Sequence, residues 1–333
     1  MRAVTPTGSA AVARGPARLR DTVPLALPLL FALLIGLLAA TGVQGQERLR
    51  LRCAAVEAGN EVLCARGAES AETLLARVGI ALAGGNPVQG TASTFGIRLG
   101  SLPRIGTTLR VTAARIETAR FGAGAPDGSA SGTVPSFDFD VNVGLFSGFS
   151  PWATVGGLAS IDLLGSVGVA RTPDRFDGSP FGWALGARLG ILRESFTAPG
   201  LSLSATYRRF GETSFDGGAV NYTVDGASMW SLRGAIGKRI GLFGLTGGVG
   251  YDLLSADAIL NIDGPLSSST LQDDDLEARR WTAFANAGWT FIIFSVTGEV
   301  GWQQGGDGED GSPAANAFGA GAIYGGIALR IAI

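Results

Sequence analysis

From residue 46 onward no apolar run approaches the ~18 residues of a membrane-crossing helix, yet segment after segment alternates apolar with small or polar side chains. Phe137, Phe139, Val141, Val143 and Leu145 alternate with Asp138, Asp140, Asn142 and Gly144. Phe181, Trp183, Leu185, Ala187, Leu189 and Ile191 alternate with Gly182, Ala184, Gly186, Arg188 and Gly190. The same rhythm runs through 201–208, 243–253 and 294–303. Successive side chains of a strand point to opposite faces, so each segment has one apolar face and one small, polar or charged face. If such a chain is integral to a membrane, it must close into a barrel, because lipid tolerates no unpaired backbone.

A basic leader precedes this pattern. Arg2, Arg14, Arg18 and Arg20 come before the uncharged run Leu25–Ala40, which is followed by the small residues Thr41-Gly42-Val43-Gln44-Gly45. That order is a cleavable export signal over 1–45, with Val43 and Gly45 at the −3 and −1 positions. Arg52 directly before Cys53 argues against lipid attachment at that cysteine. Cys53 and Cys64 suit a local disulfide in an oxidising compartment. We expect residues 46–74 to form a periplasmic N-terminal segment and 75–333 a transmembrane barrel.

Composition narrows the function. Gly accounts for 52 of 333 residues, and each one inside a helix costs about 1 kcal/mol relative to Ala. The chain has no His, which removes imidazole zinc sites and the common Ser-His and Cys-His catalytic schemes. Without the leader the net charge is about −5, so no nucleic-acid partner is expected. Gly244–Gly250 lies inside an alternating run with no helix after it, and Gly234–Lys238 lacks P-loop spacing, so no nucleotide loop is read there. No cofactor is expected. Asn221-Tyr222-Thr223 matches a glycosylation sequon in pattern only.

The alternation predicts an all-β, antiparallel, up-and-down barrel of about twelve strands: 75–84, 92–100, 106–118, 135–147, 155–170, 180–193, 199–213, 226–238, 241–256, 278–290, 292–304 and 316–333. Ten to fourteen strands fit the same pattern, and Ala68–Val78 also reads as a short helix. Connections alternate between compact (102–105, 148–154, 194–198, 239–240 and the bend near Phe291) and longer (119–134, 171–179, 214–225, 257–277, 305–315), with 85–91 a shorter member of the second set. Short periplasmic turns and longer external loops have that parity. Phe137, Trp183, Tyr207, Trp230, Tyr251, Trp281, Trp289 and Trp302 are candidates for the aromatic girdles at the two interfaces.

The leader, the alternating segments and the closing run Ile327–Ile333 resemble a bacterial outer-membrane β-barrel protein over residues 75–333. The resemblance is one of pattern. It implies an outer-membrane location, contact with outer-membrane lipid and lipopolysaccharide, and handling by the barrel-insertion machinery, whose C-terminal signal the last strand resembles except that Ile333 stands where an aromatic is usual. Outer-membrane hydrolases and acyltransferases resemble one another in using a His base, so no enzyme is expected.

The candidate site residues are the charges on the predicted luminal face: Asp138, Asp140, Asp162, Asp252 and Glu299, with Arg110, Arg188, Arg208, Arg233 and Arg330. Charged rings set ion selectivity in open channels, whereas balanced, paired charges brace a closed interior. Two functional readings follow: a passive channel or small-solute transport barrel, and a closed structural or adhesive barrel presenting acidic external loops (Asp273, Asp274, Asp275 and Glu277; Asp307, Glu309 and Asp310). Neither acidic cluster has the regular spacing of a calcium loop. A soluble periplasmic β protein is a third reading.

Overall fold

A computed structural model describes residues 45–56, 61–95, 104–122, 125–150, 156–173, 176–196, 198–263, 268–306 and 321–332. Two helices, α1 (Gly45–Val56) and α2 (Glu61–Ala83), precede the strands. Ten strands then pair antiparallel with their chain neighbours: β1 (Ile105–Gly122), β2 (Ala125–Phe146), β3 (Ser160–Ala170), β5 (Phe181–Leu192), β6 (Gly200–Phe210), β8 (Val220–Ile240), β9 (Phe243–Asp263), β10 (Ser268–Phe291), β11 (Phe294–Gln303) and β12 (Ala322–Ala332). β1 also pairs β12, from Gly106 opposite Ala332 to Ala114 opposite Tyr324, and this closes the barrel. Closure removes the edges of this ten-strand wall. Two short strands, β4 (Phe176–Asp177) and β7 (Thr213–Asp216), pair with each other, and β7 extends the sheet beside β8.

The alternation read from the sequence sets which face is which. Leu109, Val111, Phe137, Phe139, Leu185, Leu245, Val249, Val296 and Ile327 point outward and are exposed, while Arg110, Asp138, Arg188, Thr246 and Thr297 point inward and are buried. Trp183, Tyr207 and Trp230 touch ring to ring around the outside, as do Tyr251 and Trp281. Trp289 and the exposed Phe243, Phe291 and Phe294 lie at the opposite end of the outer face. From Trp281 to Phe291 the strand rises about 34 Å along its own axis, or about 25 Å at a ~40° tilt, the height of a lipid-facing band.

Beyond that band the two faces exchange character. On β9, outward Tyr251 gives way to exposed Ser255 and Asp257, while inward Asp252 gives way to buried Leu254, Ala256, Ala258, Leu260 and Ile262. Irregularities between Asp225 and Ser228 on β8, and between Asp273 and Leu276 on β10, shift the register there. On β8 the bulge keeps Val220, Tyr222 and Val224 inward with Ala227 and Met229, because one extra residue moves every side chain to the other face. The upper barrel is therefore lined like a soluble core.

α2 fills the interior. From Leu63 onward it is buried on nearly all sides, and its Leu74, Leu75, Val78, Ile80 and Leu82 join the core. A Cβ on Gly67 would sit 2.9 Å from Leu260, and one on Gly79 2.8 Å from Leu254, so helix and wall approach as closely as glycine allows. Glu61 starts at the end with the long connections. The chain then descends past Met229 and Tyr324 to Phe95, at the end with the short turns. α1 packs on α2 and β10 at the long-connection end, and Cys53 is disulfide-bonded to Cys64 as expected.

Several expectations change. The barrel has ten strands, not about twelve. Of residues 75–84, expected as the first strand, 75–83 are helix, and 92–95, expected to open the second, are irregular chain in the lumen; 96–100 lie outside the described residues. The helical alternative at Ala68–Val78 is the one observed. Residues 61–74, assigned to a periplasmic segment, form the first half of α2 inside the barrel, and 85–91 are luminal rather than an external loop. The physical reason is that α2 is small, charged and apolar in turn, which satisfies a two-residue rhythm by accident but packs only as a helix. Much of 119–134, 214–225 and 257–277 is strand rather than loop. The acidic run 273–277 lies within β10, whereas Asp307, Glu309 and Asp310 lie outside the described residues. The export signal also lies outside them, apart from Gly45.

Two tests follow. In Leu74→Ala, loss of a fully buried side chain should cost about 2–5 kcal/mol, read as a lower denaturation midpoint in detergent. In Asp257→Cys the thiol should react with a polar maleimide in detergent-solubilised protein, and in Ala258→Cys it should not; the reverse result would break the assigned faces.

Candidate functional site

The irregular chain after α2 crosses the lumen at membrane depth, where each backbone N–H and C=O needs a partner. The wall supplies them. The last four carbonyls of a helix have no partner within it. Here Ile80 accepts from the Gly84 N–H at 2.8 Å, Ala81 from Ser136 Oγ at 2.7 Å, and Leu82 from Arg110 Nη2 at 2.9 Å. Ala83 accepts from Arg110 Nη1. Gly84 has φ +63°, the left-handed conformation of a helix-ending glycine, and a Cβ there would collide with Arg110. The Arg110 cation also faces the negative end of the helix dipole.

Glu299 holds the next residues. Its carboxylate accepts from Gly85 N at 2.7 Å, Asn86 N at 2.9 Å, Gln89 Nε2 at 3.1 Å and Asn286 Nδ2 at 2.6 Å. Arg233 donates from Nε to Gly85 O at 3.0 Å and is held by Asp252 at 2.8 Å, which accepts a further bond from Ser231 at 2.6 Å. Arg188 donates to Thr91 O at 2.6 Å and to Ser202 Oγ at 3.0 Å. Arg330 donates to Gln89 O at 3.3 Å. Asp162 accepts from Phe95 N through both oxygens, at 2.9 and 3.1 Å.

All ten candidate residues therefore face the lumen. Six of them grip the descending chain directly: Arg110, Arg188, Arg233, Arg330, Asp162 and Glu299. Asp138, Asp140 and Asp252 hold the arginines, with Arg110 lying 3.7 Å from Asp138 and 3.3 Å from Asp140. Arg208 pairs with Asp138 at 4.0 Å. A gap of about 30 Å³ beside Arg110, Arg208 and Arg233 has room for a water or two. Charge-assisted hydrogen bonds of this kind are worth about 1.5–3 kcal/mol each.

Other latches escaped the sequence reading. Glu72 pairs with Arg280 at 2.6 Å, and Arg77 donates to Gln303 at 2.6 Å, so buried charges on the helix meet partners on β10 and β11. Their signal was the Ala- and charge-rich stretch Ala68–Val78, followed by Gly84-Gly85 as a helix stop. Their partners are about 210 or more residues away in sequence, and no local pattern joins them. These luminal groups are engaged with the descending chain or with one another.

No protein family and no curated protein matches the chain. Among solved structures it is similar to the translocator domain of the autotransporter NalP from Neisseria meningitidis, at 14% identity and a TM-score of 0.34, over 70% of this chain and 89% of that one. It is similar to the transport unit of the autotransporter AIDA-I from Escherichia coli at 12% identity and 0.36, over 79% and 98%. It is also similar to the outer membrane protease OmpT from Escherichia coli at 12% and 0.35, over 73% and 98%. No residue role is carried over from them. The closed antiparallel pairing and the outward apolar band with aromatic ends give the chain the architecture of a bacterial outer-membrane β-barrel.

Proposed function

We propose that the chain is a closed outer-membrane barrel of structural or adhesive role that holds its own N-terminal portion at the cell surface. The observation that carries this reading is the set of wall contacts to residues 81–95, which block the lumen by gripping its backbone. A passive channel needs a continuous wet path, and the polar inner face that suggested one is occupied by these bonds. In barrels of this architecture the short turns face the periplasm and the longer connections face outward. On that orientation α1, the disulfide and the upper parts of β8, β9 and β10 are presented outside. The lipid-facing band meets outer-membrane lipid, and the rim beyond it meets lipopolysaccharide. The export leader over 1–45 and the C-terminal strand serve delivery and insertion.

Full-length protein in planar bilayers should give no conductance above background. Deletion of 46–95 should give steady openings, provided the deleted protein keeps its heat-modifiable mobility on SDS gels. In the double variant Glu299→Ala, Arg233→Ala two grips on Gly85 are lost, and brief openings should appear. Steady conductance from the unaltered protein would overturn the closed reading in favour of the channel.

A further inference from the structure

Two tight turns at the short-turn end hold no polar side chain. The β8–β9 turn reads Ile240-Gly241-Leu242-Phe243, and the β10–β11 turn reads Phe291-Ile292-Ile293-Phe294. Apart from Gly241, every one of these side chains is exposed, Ile292 at 81%. In the turn after β5, Phe196 is 99% exposed, and Phe149 after β2 is exposed as well. Hairpin turns that stand in water favour Asn, Asp and Gly, and a run of exposed apolar residues is a fault there unless it meets a partner.

Ile292 carries a further cost. Its φ is +54°, in the left-handed region that a β-branched side chain resists. The same position of the β8–β9 turn holds Gly241, at φ +62°. An isoleucine kept where the neighbouring turn uses glycine marks a side chain retained for a contact outside the chain.

The surroundings of that contact are legible from two features. The first is continuity. Phe243, Trp289, Phe291 and Phe294 end the lipid-facing band, and the turn residues follow with no polar side chain between. At the other end of the band the exposed residues are Arg209, Ser255 and Asp257. The second is Lys238, the single lysine of the chain, on the outer face between exposed Ile236 and Ile240. Its ammonium donates to the carbonyls of Ser195, Phe196 and Ala198. Three carbonyls replace the water that an apolar neighbourhood withholds from a cation.

We propose that the phospholipid leaflet on the short-turn side covers this rim, so that the turns after β2, β5, β8 and β10 lie where acyl chains meet headgroups. The proposal rests on the membrane-spanning reading of the barrel. Arg193, Glu194 and Arg239 line a cavity of about 550 Å³ inside the ring of turns, which then opens among the headgroups.

The two native cysteines are joined to each other, so a single introduced cysteine is labelled alone. Leu242→Cys, Ile292→Cys, Val249→Cys and Asp257→Cys are each labelled with bimane in the full-length protein. The labelled proteins are placed in phosphatidylcholine nanodiscs, which leave both faces open to buffer. The quenchers are aqueous iodide and phosphatidylcholine with a nitroxide near the glycerol end of its acyl chain. Labels at 242 and 292 should lose intensity to the nitroxide lipid and none to iodide, as at 249 in the lipid-facing band. The label at 257 should show the reverse. Iodide quenching at 242 and 292 as strong as at 257, with 249 spared, would overturn the proposal and leave the rim in water, open to a soluble partner. Iodide quenching at 249 as well would overturn the membrane-spanning reading and the proposal with it.

Discussion

The barrel interior depends on the exchange of hydrogen bonds between buried wall charges and the backbone of residues 81–95. Each partner alone would be costly at membrane depth. An irregular chain has open N–H and C=O groups that lipid-level surroundings cannot hydrate. Buried guanidinium and carboxylate groups carry a desolvation cost that only close partners offset. Joined, Arg110 closes the end of α2, Glu299 gathers three groups of the following turn, and Asp162 ends the descent at Phe95. The chain between the wall charges supplies partners to Arg110, Arg188, Arg233, Arg330, Asp162 and Glu299.

This exchange divides the interior into two zones. At membrane depth the lumen is polar and the outside apolar, as lipid requires. Above the band, water surrounds the wall, and β8, β9 and β10 turn apolar side chains inward onto α2. α2 belongs to both zones. Leu74, Leu75 and Val78 pack in the apolar part, while Glu72 and Arg77 reach partners on the wall, Arg280 and Gln303. The Cys53–Cys64 bond ties α1 to the top of this plug.

How much was legible follows from where the signals live. Nine of the ten barrel strands were found with ends within two residues of those observed at the short-turn end, and β3 starts five residues later than expected; lipid outside and small polar groups inside force a strict two-residue rhythm. Their upper extensions were read as loops. On β9 the rhythm persists through Ser255, Ala256, Asp257 and Ala258, but its polarity inverts at the band's edge, and weakly apolar alanines hide the inward face. The ten luminal charges were identified by the same alternation, and all ten face inward. What they hold was not legible, since Glu299 and Asn86 are separated by 213 residues and meet only when α2 enters the barrel.

By itself, then, the sequence determined that this chain makes a lipid-compatible antiparallel barrel, which faces its strands show, and that its inner charges are balanced. Those properties are local: they follow from alternation, from glycine and from the absence of a long apolar run. Tertiary structure alone decided that the barrel closes with ten strands, that residues 63–95 lie inside it, and that the luminal charges hold this stretch of chain. Those depend on shape and on distant pairing. A helix of small residues fits where Gly67 and Gly79 let it approach the wall, and its end is held by charges that the sequence places far away.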